Sequence, residues 1–153
     1  MHATGHIGLG FLCVAPIYVV MRIAGIDLST AIVVTCLGAV LAWLPDLDMY
    51  FGVKHRGPTH TIVLGAIVAF GISLVFSYSP WDAFFAFVCV FLTFSLHIFG
   101  DLFTVVQMQI FAPFSKKKYG GWKKFKSASK KANEYFFYGG ITAYVLVLAL
   151  LSF

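Results

Sequence analysis

The chain has 153 residues, enough for one domain, of which 60% are hydrophobic and 11% charged, with a formal net charge of +5. Together with a mean hydropathy of +0.90, this composition lies far outside the soluble globular range and excludes a water-soluble domain. An all-α integral membrane bundle is expected instead, and the 17 Phe and 14 Gly suit helices packed closely in lipid.

Uncharged apolar runs extend from Ile7 to Met21, Leu28 to Pro45, Thr61 to Trp81, Ala83 to Gly100 and Tyr135 to Phe153, the fourth interrupted only by His97. A hydrocarbon core about 30 Å thick needs roughly 20 helical residues, so the last four runs qualify directly and the first qualifies if Arg22 snorkels. Five transmembrane helices in a single domain, residues 1–153, are therefore expected. Pro45 ends the second, Pro58 with Thr59 opens the third, and the turn at Ser79 and Pro80 separates the third from the fourth. The first run has no basic stretch before it and no small-x-small cleavage site, so it reads as a retained helix rather than a signal peptide.

With five spans, the N-terminus, the 46–58 connector and the 105–133 connector share one side and hold ten of the eleven basic residues, with Arg22 alone opposite. The positive-inside rule then places the N-terminus in the cytoplasm and the C-terminus outside. On that topology all five histidines and four of the six acidic residues fall at cytoplasmic helix ends. Only Asp27 and Asp82 lie on the other side, so widely separated polar groups converge on one membrane face.

HIFGD places His97 and Asp101 four residues apart, which on a helix brings both to one face with Cβ atoms about 5–6 Å apart and suits joint binding of one cation. An isolated H-x-x-x-D is common, but within an apolar span a buried carboxylate must be paired, protonated or metal-bound. Thr104 continues the stripe, either as a hydrogen-bond donor to a ligand or as a packing hydroxyl. In LPDLDMYFGVKHRGPTH, Pro45 stops the second helix and turns out Asp46 and Asp48, which alternate in an expected extended segment and so need not face one point. Either is a candidate ligand or a plain helix-end acid. Gly57 and Pro58 make a tight turn that presents His55 and His60 as two imidazole donors. Arg56, between them, is placed to bind phosphate or carboxylate and offset developing charge, or else to anchor a headgroup or pair with Asp48. His6, in TGHIG, is a further ligand candidate or a helix-terminal cap, while His2 is too near the terminus to assign. Neutral imidazole plus carboxylate suits a divalent metal, Zn first, with Mn or Fe also compatible.

The order G-H, L-P-D-L-D, H-R-G-P-T-H-T and H-x-x-x-D-x-x-T before a proline resembles the YdjM-like family of inner-membrane, metal-dependent hydrolases. The resemblance runs from residue 5 to about 114 and rests on Gly5, His6, Leu44, Pro45, Asp46, Asp48, His55, Arg56, Gly57, Thr59, His60, His97, Asp101, Thr104 and Pro113. Met49 stands where a His often follows the second Asp, and Val105 and Val106 stand where small or turn residues are usual. The resemblance implies a metal-dependent hydrolase embedded in the membrane.

His6, Asp46, His55, His60, His97 and Asp101 are thus the expected metal ligands, with Asp48 as general base and Arg56 as the charge-offsetting residue. The candidates exceed what one tetrahedral zinc needs, so one or two ions are expected. Two metals about 3.5–4 Å apart would favour phosphoester hydrolysis, since bound water drops from a pKa of 15.7 toward about 7. The connector at about 115–132 carries eight lysines and no acid. It suits the surface of an anionic leaflet, with Tyr119, Trp122 and Phe125 in the headgroup zone and a short interfacial helix around Trp122 and Phe125. Recruitment of an anionic lipid substrate is a second role for it; with no recognised binding fold, nucleic acid is not an expected partner. Cys13, Cys36 and Cys89, in three different runs, read as small hydrophobes. A metal-stabilised noncatalytic scaffold and a metal or proton transporter are the alternatives. Transport would call for ionisable residues deeper in the bilayer, which the sequence lacks.

Overall fold

The computed structural model describes residues 2–52, 55–124 and 129–151. They form an all-α bundle of α1 (Ala3–Ile23), α2 (Leu28–Leu41), α3 (Ile62–Val75), α4 (Pro80–Leu102) and α5 (Lys130–Leu151), with short 3-10 segments at Leu44–Met49 and Pro58–His60. A two-stranded antiparallel pair, β1 (Gln107–Met108) and β2 (Tyr119–Gly120), lies in the last connector.

Three helices, α1, α4 and α5, are long and apolar enough to cross a membrane. The expected order of span lengths is corrected here. The first run, read as marginal, extends to 21 residues, whereas α2 and α3 have 14 residues each, a rise of about 21 Å. Local chemistry sets these limits. Arg22 does not simply stretch toward water: its Nη1 donates to Ile26 O at 2.6 Å and closes the end of α1. The backbone tightens at Ala42 and Trp43 into the 3-10 segment containing Pro45, so α2 stops before its apolar run does. Ser79 Oγ accepts from the Asp82 N–H at 3.1 Å and Pro80 takes the first helical position, which starts α4 and ends the third run early. Asp27 and Thr61 cap α2 and α3 in the same way.

Helix α1 packs against α5, α2 and α4, and α3 packs on α4. Its crossing with α5 is made of glycine on both sides: a Cβ on Gly8 would strike the Phe136 carbonyl, and one on Gly140 would strike the carbonyl of Gly8. Close backbone approach of this kind is how helices associate where lipid competes equally for apolar side chains. Gly139, by contrast, would place a Cβ in open space. The main core gathers Val14, Tyr18, Met21, Val34, Phe85 and Tyr144 around these crossings, with Cys89 buried among them and all three cysteines free.

The basic connector is not the expected interfacial helix. Trp122, Lys123 and Lys124 donate their backbone N–H groups to the carbonyls of Leu102, Thr104 and Phe103, so the hairpin is tied to the end of α4. Trp122 packs edge-on against Phe103 at 4.9 Å between ring centroids, and Phe125 lies outside the described residues. The Ile62 N–H to Ile110 O bond, 2.9 Å, ties the same connector to the start of α3.

Because the obstruction at the glycine crossing is backbone, overpacking cannot be relieved by a rotamer change. Gly140→Val is expected to cost at least about 1–3 kcal/mol and lower the thermal midpoint in detergent, while Gly139→Ala leaves it in place; equal midpoints would contradict this packing.

Candidate metal centre

Four elements deliver the polar residues to one place. His6 lies in the first turns of α1, His97 and Asp101 near the end of α4, Asp46 and Asp48 on the first 3-10 segment, and His60 at the end of the second. All six side chains are buried, the most exposed being Asp46 at 4%. The expectation that Asp46 and Asp48 alternate in an extended segment is overturned. Pro45 starts a 3-10 turn of about three residues per turn, which sets the two acids about 120° apart; both are buried, on different sides of His60.

The centre of the group is a near-equilateral triangle. His60 Nε2 lies 3.3 Å from His97 Nε2 and 3.4 Å from Asp46 Oδ1, and His97 Nε2 lies 3.5 Å from the same oxygen. Two donors bound at 2.0–2.1 Å with a tetrahedral angle stand about 3.3–3.4 Å apart, so these edges fit one ion. Asp101 Oδ2 is 3.8 Å from His60 Nε2, and His6 Nε2 is 3.6 Å from Asp101 Oδ1 and 3.8 Å from Asp46 Oδ2. Ligand atoms of Asp46, His60, His97 and Asp101 all lie within 4.8 Å of one another, so the group could hold a metal ion.

The surrounding hydrogen bonds fix which nitrogens carry protons. His97 Nδ1 is 2.7 Å from the Ala42 carbonyl, which can only accept. Thr59 Oγ1 donates to Asp48 Oδ2 at 2.6 Å and therefore receives the His60 Nδ1–H at 3.0 Å. Wherever both rings are neutral, this leaves the two Nε2 atoms facing each other as bare lone pairs. His6, stacked on His97 at 3.6 Å, makes no hydrogen bond within 3.5 Å from either ring nitrogen among the described residues, its nearest acceptor being Asp101 Oδ1 at 3.6 Å. A buried polar group left in that state costs about 1–3 kcal/mol. A cation among these atoms removes both penalties, so the donors fit a metal. Burial pushes the Asp46 carboxyl up, but a proton on the facing Nε2 of His60 or His97 holds it well below the usual carboxylate range; burial lowers His60. Ionised carboxylate and neutral imidazole are the ligand forms.

His55 lies apart from the triangle. It is exposed, and its Nδ1 donates to Asp48 Oδ1 at 2.9 Å. With Asp48 and His60 it makes a second group whose ligand atoms lie within 4.8 Å of one another. Asp48 is heavily engaged, since Oδ2 also accepts from the Arg56 N–H at 3.2 Å as well as from Thr59. Arg56 adopts φ 61, a left-handed conformation that costs a non-glycine residue roughly 1–2 kcal/mol. Its Nε meets Asp101 Oδ2 at 3.0 Å and its Nη1 donates to Thr104 Oγ1 at 2.9 Å. The side-chain ion pair is thus with Asp101, while Asp48 holds the backbone. His2 precedes α1, and its N–H donates to Asn133 Oδ1 at 2.9 Å.

Beside the cluster opens a cleft of about 670 Å³, lined by His55, Arg56, Pro58, Val106, Gln109 and Lys118 among others. Two contributors went unrecognised in the sequence reading. The Ala42 carbonyl leaves no sequence signal, because every residue has one. Thr59 does leave one, a hydroxyl next to a candidate histidine and able to bridge it to an acid.

No curated protein and no solved structure matches the chain. The family described as YdjM inner membrane protein matches residues 1–153, beyond the 5–114 stretch that carries the motifs, and its description agrees with the membrane-capable helices. The chain belongs to the YdjM inner membrane protein family.

Proposed function

We propose that this protein is a membrane-embedded, metal-dependent hydrolase that cleaves a phosphoester at the cytoplasmic face of the inner membrane. The observation that carries the reading is the triangle of His60, His97 and Asp46 set beside a cleft that Arg56 shares. A divalent cation held by these three, with Asp101 and His6 at its edge, would supply Lewis-acid polarisation and a more acidic water. Zinc fits the donor set first, and Mn or Fe also accept imidazole and carboxylate.

The chain's own residues divide the remaining work. Arg56 offers five N–H donors, of which one on Nη1 goes to Thr104 while the guanidinium pairs in charge with Asp101. The rest serve the equatorial oxygens of a phosphoryl group, where charge builds as water adds to phosphorus, the ester P–O bond breaks and a proton passes to the leaving alcohol. Asp48, expected as general base, acts instead as a positioning residue: it orients His60 through Thr59 and fixes the strained backbone of Arg56. A single ion is favoured over two, because the second group would need the His60 Nδ1 that already donates to Thr59. A noncatalytic scaffold would account for the contacts of Arg56 with Asp101 and Thr104 but not for its place in the wall of a cleft. The basic connectors support the cytoplasmic placement of this end.

Elemental analysis of detergent-purified protein is expected to give about one divalent ion per chain, lost in His97→Ala and Asp46→Asn and retained in His55→Ala. Asp48→Asn should weaken the metal roughly 10–100-fold. Equal metal content in all variants would remove the site. In a phosphoester screen, Arg56→Lys should keep its metal yet lose roughly 10²–10³ in kcat/KM; the absence of metal-dependent turnover across a broad panel would overturn the enzyme reading.

A further inference from the structure

The cleft beside the cluster does not end at its polar mouth. Val63 and Ile67 line both it and a second, shallower groove of about 540 Å³ that continues between α3 and α4. Val63, Ile67 and Phe70 fall at i, i+4 and i+7 on α3 and so form one stripe. That stripe runs about 10 Å along the helix axis. The opposite wall is Phe87 and Phe91 on α4, whose rings stack at 5.6 Å and 12° into a flat apolar surface. Ile67 and Phe70 are 62% and 59% exposed, and no described residue lining this groove is charged.

The two ends of this track differ in chemistry. At the mouth stand Arg56 and Lys118 with Gln107 and Gln109, and no carboxylate is among the described residues lining the cleft. The mouth therefore favours an anion and the track below it favours hydrocarbon. Depth agrees with this division. His97 lies five residues before the end of α4 at Leu102, about 7.5 Å inside that helix, so the cluster sits near the border between headgroups and acyl chains rather than out in water.

We propose, resting on the hydrolase reading for its chemical fate, that the substrate is an anionic phospholipid that reaches the site sideways from the bilayer. Its phosphate sits at Arg56 and Lys118, and one acyl chain lies in the α3–α4 groove along Val63, Ile67 and Phe70. Charge complementarity at the mouth, and the continuity of the groove with the cleft that Arg56 lines, select this occupant over a second protein helix.

The test is photo-crosslinking in phosphatidylcholine nanodiscs with phosphatidic acid carrying a diazirine in its tail, with labelled residues mapped by mass spectrometry. Saturable labelling is expected in 62–70 and at Phe87 and Phe91. Excess unlabelled phosphatidic acid should cut it at least fivefold, and inorganic phosphate should not. Ile67→Trp, which fills the groove at an exposed position, should remove it, while Val145→Trp on the outer face of α5 should not. Labelling spread evenly over lipid-facing helices, equal labelling by a diacylglycerol probe, or displacement by inorganic phosphate alone would overturn the proposal. No turnover is needed for this readout, so the two readings fail separately. Loss of specific labelling in protein that still hydrolyses a short water-soluble phosphoester removes sideways access only; specific labelling with no hydrolysis of any phosphoester removes the hydrolase and leaves the lipid site.

Discussion

Two imidazole Nε2 atoms meet head-on at 3.3 Å inside an apolar bundle, and the rest of the site depends on what resolves that contact. The Nδ1 of each ring has a partner of its own, the Ala42 carbonyl for one and Thr59 for the other, so a neutral ring has no proton left for its neighbour. In water such a pair would turn apart and hydrate. Here both rings are held from behind and buried, at 1% exposure or less. A shared cation would turn that contact into coordination, and the Asp46 carboxylate completes a face of suitable edge length.

Features that look like defects of the helices become intelligible from this constraint. Helix α2 stops well short of a full span, and stopping there frees the Ala42 carbonyl to hold His97. The 3-10 segment that follows turns Asp46 and Asp48 to opposite sides of one imidazole, which a strand, with both on one face, would not do. The left-handed backbone at Arg56 is anchored by Asp48, so the same carboxylate that supports a ligand also sets the guanidinium beside the cleft. Strain of this sort persists only where the surroundings over-determine it, and such places cluster at functional sites.

Much of this is legible in the sequence, for reasons that can be named. His97 and Asp101 are local to one helix, so their spacing alone places them on one face. The convergence of His6, Asp46 and His60 follows from counting spans and basic residues, which needs no side-chain geometry. What escapes is governed by backbone hydrogen bonding. An apolar run reports contact with lipid and says nothing of where the backbone tightens, so the ends of α2 and α3 are misjudged. Two acids separated by one residue look the same in an extended strand and a 3-10 turn. The lysine-rich connector is read by its charge, whereas its N–H groups bonded to the end of α4 decide its shape.

Helix packing and site geometry are finally one problem. His6 lies two residues from Gly8, where α1 and α5 approach backbone to backbone. That contact has no side chain to absorb error, so it sets the axial position of α1 and with it the depth at which His6 meets Asp46 and Asp101. The opposite flank is treated differently: α3 sets Gly65 against the Phe94 ring of α4 and leaves a groove along Val63, Ile67 and Phe70. The bundle is thus closed backbone to backbone on the flank that carries His6, and open along the apolar stripe of α3 on the other.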